Sequence, residues 1–208
     1  MPRVRVHQHV NPLAPYFRQA PRPIDLGAVF ADPKRPIFLD IGSARGRFLL
    51  RMAREDTETN FLGVEIREPL VDEANRLAGE AGLDNLHYSF CNAMLWLDRL
   101  LKGFPEGILQ TVTIQFPDPW FKKKHAKRRM VNQEMVGTIA RRLVPMGQVF
   151  IQTDIEFLAE EITDMFGSSG LFDEVQISEN PFSIKTERER SVENRSLPVF
   201  RHLFVKKK

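Results

Sequence analysis

The sequence is poor in cysteine and in long apolar runs. Its 208 residues include one cysteine, Cys91, which excludes an internal disulfide framework and a multi-cysteine zinc site. No apolar run approaches the roughly 18 to 20 residues that cross a bilayer, and the first residues lack the apolar core of a signal peptide. No histidine pair or acid cluster has the spacing of metal ligands. We therefore expect a cytoplasmic protein with neither a metal site nor a membrane anchor.

An excess of one charge is also missing. The sequence has 30 Lys and Arg against 27 Asp and Glu, a net charge of only +3. The distribution is more informative, because residues 122–129 carry seven basic or imidazole side chains. Such clustering is the electrostatic footprint of a nucleic-acid binder, although a solvated basic surface has the same pattern. The cluster therefore favours either a polyanionic partner or a solvated basic surface.

The remaining composition is that of one globular domain. A hydrophobic fraction of 42% and a length of 208 residues allow a sizeable core. Residues 1–35 are rich in proline and arginine, and we interpret them as a basic, irregular N-terminal arm with a short turn near residues 13–17. This arm could be a flap over an active site, an RNA contact or a disordered terminus. Residues 36–208 are predicted to form a single domain.

From residue 37 onward, short apolar segments alternate with segments of helical periodicity. The predicted strands cover residues 37–41, 60–66, 86–90, 108–116, 148–153, 171–178 and 199–205. Helical spacing follows each of the first five, but only a polar stretch separates the last two, which therefore favour an antiparallel hairpin. The pattern predicts an α/β fold, a mostly parallel, doubly wound, seven-stranded sheet with an antiparallel C-terminal hairpin.

The first half of the predicted sheet has the features of an adenosine-type cofactor site. A turn containing Gly42 and Gly46 follows the first strand and opens a helix, where backbone can approach a ligand closely. Glu65 ends the second strand, where an acid can accept hydrogen bonds from both ribose hydroxyls. Asn92 and Ala93 follow the third strand, where an amide could bind adenine.

Two details favour S-adenosylmethionine over a dinucleotide. The glycines are spaced Gly-x-x-x-Gly, which is not the pyrophosphate fingerprint Gly-x-Gly-x-x-Gly. Asp40, at the end of the first strand, would repel a pyrophosphate but suits a cofactor that carries an ammonium and a sulfonium group. Asp40, Gly42, Gly46, Glu65 and Asn92 are more informative jointly than the glycine spacing alone.

A second candidate site follows the fourth strand. Pro117 and Pro119 bracket Asp118, and an aromatic pair and the basic residues 122–129 come next. Ligands of open α/β sheets bind beyond the carboxyl ends of the strands. A stiff loop with one acid beside aromatic and cationic side chains is typical of a site for a planar base on a polyanion.

With these residues identified, the chain resembles the tRNA (guanine-N7)-methyltransferase family from residue 37 to residue 205. The most specific match is Phe-Pro-Asp-Pro-Trp-x-Lys at residues 116–122, followed by the basic run. Gln-Thr-Asp at residues 152–154 is a second match. The third is residues 182–189, which are similar to the family's Thr-x-x-Glu segment.

The resemblance implies a Rossmann-like class I methyltransferase that uses S-adenosylmethionine to methylate a guanine in the variable loop of tRNA. It implies a catalytic role for Asp118 and cofactor contacts for Asp40, Glu65 and Asn92. The substrate-binding positions that it implies are Lys122, Asp154, Thr186, Glu187, Arg188 and Glu189. The family usually has a glycine where this chain has Ala44, and commonly Glu where it has Asp40. We expect a monomer or homodimer with no obligate protein partner.

Three other classes share parts of this pattern. A nicotinamide-dependent dehydrogenase shares the fold and Glu65, but the glycine spacing and Asp40 disfavour it. A methyltransferase for protein or another RNA base would keep the cofactor half, but it would not explain the Pro-Asp-Pro-Trp loop. A non-catalytic RNA-binding protein would need a cofactor pocket that stays empty.

Overall fold

The computed structural model describes residues 10–208, and its centre is a seven-stranded sheet in the order β3-β2-β1-β4-β5-β7-β6. Strands β1 to β5 run parallel, while β7 runs antiparallel to both β5 and β6. This topology confirms the α/β prediction and the antiparallel C-terminal pair. The strands are β1 (Ile37–Ile41), β2 (Asn60–Glu65), β3 (Leu86–Phe90), β4 (Leu109–Gln115), β5 (Leu143–Thr153), β6 (Phe172–Val175) and β7 (Phe200–Lys206).

Helices cover both faces of the sheet. The described α-helices are α1 (Leu26–Val29), α2 (Arg47–Glu55), α3 (Glu68–Glu80), α4 (Ala93–Leu100), α5 (Gln133–Arg142), α6 (Glu156–Ser169) and α7 (Glu187–Glu193). Apolar residues of α4, α5 and α6 form one core cluster, and those of α2 and α3 form another. Neighbouring strand residues point to opposite faces, so Leu39 joins the first cluster and Phe38 the second.

Phe182 packs against the same cluster as α2 and α3. The ring of Phe182 lies 5.2 Å from Phe38, 6.2 Å from Phe48 and 5.5 Å from Phe150, measured between centroids. Offset and edge-on aromatic contacts of this kind add to the energy of area burial. The segment before α7 is therefore held against β1 and β5.

Helix α7 is a departure from the sequence-based prediction, which places only a polar connector between the last two strands. The helix has seven residues, and only Glu189 and Val192 among them are buried. Apolar periodicity could not reveal it, because the helix is started by a side-chain cap from Thr186 and held by polar contacts. Consequently β6 and β7 pair antiparallel but are not joined by a simple hairpin.

The fifth strand also begins earlier than predicted. The sequence places its start at residue 148, with Pro145 and Gly147 ending α5, but α5 ends at Arg142 and β5 starts at Leu143. The pairing with β4 jumps from Leu143 to Gln148, so the intervening residues bulge out of the ladder. A proline can lie inside this strand because the bulge removes the need for its hydrogen bond.

The segment before β1 contributes to the same core. A 3-10 helix covers Pro15–Arg18, and Ile24, Leu26 and Phe30 are buried in the first cluster. The part of the predicted arm in residues 1–9 lies outside the described residues, and the domain boundary at residue 35 stays a prediction. Within residues 10–208, no helix has both the length and the apolar character needed to cross a membrane.

Candidate active site

The parallel topology brings two buried acids together at the carboxyl edge of the sheet. Asp40 lies near the end of β1, and Glu65 ends the neighbouring strand β2; each is 4% exposed. The register pairs Asp40 with Gly63, so Glu65 lies two residues further along the adjacent strand on the same side. A pair of buried carboxylates at this edge is costly unless cations or hydrogen-bond donors compensate it.

The environment of Asp40 raises the pKa of its carboxyl group. Thr113 donates to its Oδ1 at 2.6 Å, and Gln115 Nε2 lies 3.5 Å from the same oxygen. Burial raises the pKa of Asp40 to about 6, the two donors oppose this rise, and the nearby Glu65 adds to it. A bound cation would lower this pKa again and relieve the cost of burial.

Glu65 ties the turn after β1 to the end of β2. Its Oε2 accepts from the backbone N–H of Ala44 at 2.9 Å, and its Oε1 accepts from the backbone N–H and Nε of Arg67 at 3.0 and 2.9 Å. Ala44 has a φ of 50°, in the left-handed region that favours glycine. The hydrogen bond to Glu65 therefore holds an alanine in a conformation that costs free energy.

Replacing Ala44 by glycine should stabilise the protein. Glycine reaches this φ without steric cost, so we expect the free energy of unfolding to rise by about 0.5 to 1 kcal/mol. Urea denaturation measures this change. The matched control is Ala53→Gly, in the buried face of α2 with ordinary helical backbone, which should destabilise by about 1 kcal/mol or more. A loss of stability in Ala44→Gly would show that the turn is not strained.

The two glycines of the turn have different environments. A Cβ added to Gly42, at φ 88°, would meet only the side chain of Met130, at 3.7 Å. A Cβ on Gly46 would lie 2.5 Å from the ring of Tyr88, whose hydroxyl donates to the Gly46 carbonyl. Gly42 therefore leaves backbone accessible to a ligand. Gly46 is required by its packing against Tyr88 and by its φ of 71°, and its contact with a cofactor stays a prediction.

Asn92 and Ala93 lie at the start of α4, as the third element of the predicted cofactor site. Asn92 is 5% exposed, and its Nδ2 donates to the carbonyls of Pro12 at 2.8 Å and Phe17 at 3.2 Å. The N–H groups that we expected to be offered to adenine are thus used to hold the N-terminal segment. The sequence could not reveal this partner, which lies 75 to 80 residues away.

The loop of residues 116–122 leaves β4 with an unusual backbone. Phe116 and Trp120, which flank the Pro-Asp-Pro segment, have φ values of 52° and 44°. The backbone N–H of Phe116 donates to the Gln152 carbonyl at 2.7 Å, which fixes the start of the loop against β5. Asp118 is exposed at its tip. Positive φ at two bulky residues is the kind of strain that proteins retain at functional sites.

Arg129 stabilises this loop. Its Nε donates to the Pro119 carbonyl at 3.0 Å, its guanidinium pairs with Glu161, and it lies 5.0 Å from the ring centre of Phe157. The side chain is 12% exposed. We expected Arg129 to neutralise tRNA phosphates, but its contacts give it a structural role in the loop.

The other basic residues lie on a 3-10 helix at Lys123–Arg128, apart from Lys122, which is its N-cap. Arg128 lies over the ring of Trp120 at 5.0 Å, and His125 meets the same ring edge-on. Partial burial and the cations of Arg128 and Lys124 lower the pKa of His125, so it is neutral at physiological pH. Much of the positive charge of this surface therefore comes from lysines, of which Lys122, Lys123, Lys124 and Lys127 are exposed.

The Thr-x-x-Glu segment is the start of α7. Thr186 is the N-cap and its hydroxyl accepts from the backbone N–H of Glu189 at 3.1 Å. Glu187 pairs with Arg47, and Arg188 donates to Asp154 Oδ2 at 2.5 Å. Asp154 follows β5 at the carboxyl edge, so the Arg188 pair brings α7 next to the end of that strand.

Glu189 has a different place from the one expected. Its side chain is fully buried and accepts from Gln152 at 3.0 Å, Asn180 at 2.8 Å and Arg201 at 2.9 Å. The family resemblance implies that Glu189 binds the substrate, but its oxygens accept hydrogen bonds inside the protein. Gln115, the last residue of β4, and Gln152, the last but one of β5, are given no role of their own by sequence reasoning. Both strands contain other polar residues, so local pattern did not distinguish these two.

The fold and this edge define a class of protein. A doubly wound sheet with one reversed strand near its C-terminus, and acids at the ends of β1 and β2, are the arrangement of Rossmann-like class I methyltransferases. Solved structures of that class share the fold. A SAM-dependent methyltransferase from Aquifex aeolicus superposes with a TM-score of 0.56 at 11% identity, over 83% of this chain and 84% of that one. An rRNA methylase from Streptococcus thermophilus gives 0.54 at 13%, over 88% and 92%.

Sequence comparisons identify the family within this class. Residues 34–202 match a family model described as "Putative methyltransferase". The tRNA (guanine-N(7)-)-methyltransferase of Trichormus variabilis is 52% identical over 98% of this chain and 97% of that protein. The one from Synechococcus elongatus is 51% identical over 99% and 98%. The chain belongs to the tRNA (guanine-N7)-methyltransferase family.

Proposed function

We propose that this protein methylates N7 of a guanine in the variable loop of tRNA, with S-adenosylmethionine as the methyl donor. The observation that carries the proposal is identity of about half, over nearly the full length, to relatives named for this reaction. The fold supports it, because the three matching motifs lie at or next to the carboxyl edge of one sheet. We further propose that the protein acts in the cytoplasm as a monomer or homodimer.

The residues at this edge fit the proposed donor. S-adenosylmethionine supplies a methyl group on a sulfonium centre together with an ammonium, two ribose hydroxyls and an adenine. Asp40 would hold the ammonium and Glu65 the hydroxyls, with Arg67 giving up part of its contact with Glu65. Ser43 Oγ, in the same turn, is buried and has no hydrogen-bond partner among residues 10–208. An unpartnered hydroxyl beside the accessible backbone of Gly42 is consistent with a ligand in this turn.

The target atom determines what the protein must do. Guanine N7 has an in-plane lone pair and no proton, so its methylation needs no general base. Positioning of the base and stabilisation of the positive charge that grows on it remain. Asp118 lies on a fixed loop at the required edge, and its carboxylate can do both by accepting from the N1–H and N2–H₂ groups of guanine. Lys122 ends the same loop, and the pair of Asp154 and Arg188 lies at the end of the neighbouring strand β5; all three would contact the tRNA.

The function is tested by transfer of labelled methyl groups to unmodified tRNA, followed by nucleoside analysis. The expected product is 7-methylguanosine. Label in another nucleoside would leave a methyltransferase and overturn the proposed target. Cofactor binding without transfer to any tRNA would overturn the proposed activity.

The exposed lysines of the 3-10 helix should contribute sequence-independent affinity for tRNA. Replacing Lys123, Lys124 and Lys127 by alanine should raise the KM for tRNA and reduce the steepness of its salt dependence, by about 0.7 to 0.9 for each phosphate that is no longer neutralised. Cofactor affinity should not change. Lys34→Ala and Lys102→Ala are the controls, because they are exposed at the opposite, amino edge of the sheet. Equal effects in both sets would mean that the cluster has no special role.

A further inference from the structure

A row of polar side chains crosses three strands beside the candidate active site. Gln115 of β4 is in register with Gln152 of β5, which is in register with Arg201 of β7. Gln115 lies two residues beyond Thr113, the partner of Asp40, and therefore points to the same face as Asp40. The row begins at the acid of the cofactor half and ends beneath α7.

The row is connected by hydrogen bonds. Gln115 Nε2 lies 3.5 Å from Asp40 Oδ1, and Gln115 Oε1 accepts from Gln152 Nε2 at 2.8 Å. The same Nε2 donates its second hydrogen to Glu189 Oε2 at 3.0 Å. Gln152 is completely buried, and its Oε1 has no partner in the described part of the chain. The Gln152 amide thus donates one hydrogen toward the cofactor side, to Gln115, and the other toward α7, to Glu189.

Glu189 connects this row of hydrogen bonds to α7. Arg201 donates to Glu189 Oε1 at 2.9 Å and to Glu193 at 2.8 Å, so two successive turns of the helix are tied to β7. One residue before Glu189 is Arg188, which pairs with Asp154 at the end of β5. The position of α7, and with it this ion pair, depends on where the Glu189 carboxylate is held.

We propose that Gln152 is a positioning residue that couples cofactor binding at Asp40 to the arrangement of α7 on the tRNA side. The proposal rests on the proposed function. An ammonium at Asp40 fixes the carboxylate, which fixes the Gln115 amide and, through it, the amide of Gln152 and its bond to Glu189. Buried amides have few alternative partners, so a shift of a side chain at one end of the row changes the hydrogen bonds at the other end. By linkage, tRNA must then strengthen cofactor binding by the same factor as the cofactor strengthens tRNA binding.

The test compares Gln152→Met with Asn180→Ala. Methionine is about as long as glutamine but lacks an amide. Gln152→Met therefore breaks the row of hydrogen bonds. Asn180→Ala removes another hydrogen bond to Glu189, and one to Phe182, without touching the link to Asp40. Affinity for S-adenosylhomocysteine, which retains the ammonium and does not react, is measured by calorimetry with and without unmodified tRNA. We expect tRNA to tighten the binding of S-adenosylhomocysteine to the wild type by about fivefold or more. This ratio of affinities with and without tRNA should approach one in Gln152→Met but not in Asn180→Ala.

The outcomes separate this proposal from the proposed function. Methyl transfer by the wild type is measured first, and its absence would overturn the function itself. With an active wild type, a ratio of one in the wild type, an undiminished ratio in Gln152→Met, or equal losses in both variants would each overturn the coupling. Thermal melting shows whether the variants fold. If Gln152→Met does not fold, Gln115→Met breaks the same row at a half-buried position and must give the same result.

Discussion

Asp118→Asn is expected to lower the rate of methyl transfer to tRNA about 100-fold to 1000-fold, the effect of removing one preorganised electrostatic contact. Guanine gains positive charge as N7 is methylated, and an amide lacks the negative charge that stabilises it. Asparagine has the same shape as aspartate, and thermal melting of the variant shows whether the fold is kept. The rate is measured with saturating labelled S-adenosylmethionine and unmodified tRNA.

Two controls make this result specific to the loop. The affinity of Asp118→Asn for S-adenosylhomocysteine should equal that of the wild type, because Asp40 and Glu65 are untouched. Asp72→Asn, at an exposed position on α3, should leave both rate and affinity unchanged. A normal turnover number in Asp118→Asn would remove Asp118 from the mechanism, and a lost cofactor affinity would reassign it to the cofactor site.

Asp40→Asn should have two large effects of opposite sign, on stability and on cofactor binding. Since burial raises the pKa of Asp40 from the ordinary 3.8 to about 6, the folded protein binds a proton more tightly than the unfolded chain. Keeping this carboxylate charged near neutral pH therefore costs about 2 to 3 kcal/mol of stability. Asparagine can still accept from Thr113, so the variant should unfold at a higher urea concentration than the wild type.

The same argument gives a pH dependence. The pKa of Asp40 is higher in the folded state, so the wild type retains its full stability below about pH 4 as far as this group is concerned, and loses it as the pH rises to about 6. Asp40→Asn should lack this decline. Urea denaturation of both proteins at about pH 5 and pH 7.5 measures the difference, which should be larger at the higher pH. A difference that is equal at both values would contradict the raised pKa.

Cofactor affinity should move in the opposite direction. Asp40→Asn removes the charge proposed to hold the ammonium, and we expect affinity for S-adenosylhomocysteine to fall about 10-fold to 100-fold, as for a lost charge-assisted hydrogen bond. Affinity of the wild type should also weaken below about pH 6, where Asp40 takes up a proton. A variant that is more stable and binds the cofactor more weakly would show that this acid is retained for binding. Unchanged affinity would exclude Asp40 from the cofactor site.

Much of the fold could be predicted, because its strands are short apolar runs between turn residues. Where local pattern and tertiary context disagreed, the prediction failed. Helix α7 has too few apolar residues to show a period, and its stability comes from Thr186 and from the buried Glu189. The early start of β5 depends on a bulge that the partner strand β4 permits. The bulge in β5 has no local sequence signal, whereas Thr186 and Glu189 have the spacing of a capping box, which marks only the start of α7.

The sequence by itself determined the class of fold, the edge of the sheet at which we propose the chemistry occurs, and the acids at that edge. It could do so because parallel strands bring their carboxyl ends together, so that Asp40 and Glu65 lie at the same edge from which the Asp118 loop leaves β4. Only the tertiary structure decided which polar groups remain available. Asn92 holds Pro12 and Phe17, Arg129 holds Glu161, and Glu189 is enclosed by Gln152, Asn180 and Arg201. Hydrogen-bond partners are chosen by distance in space, and a residue type that suits a ligand suits a buried partner equally well.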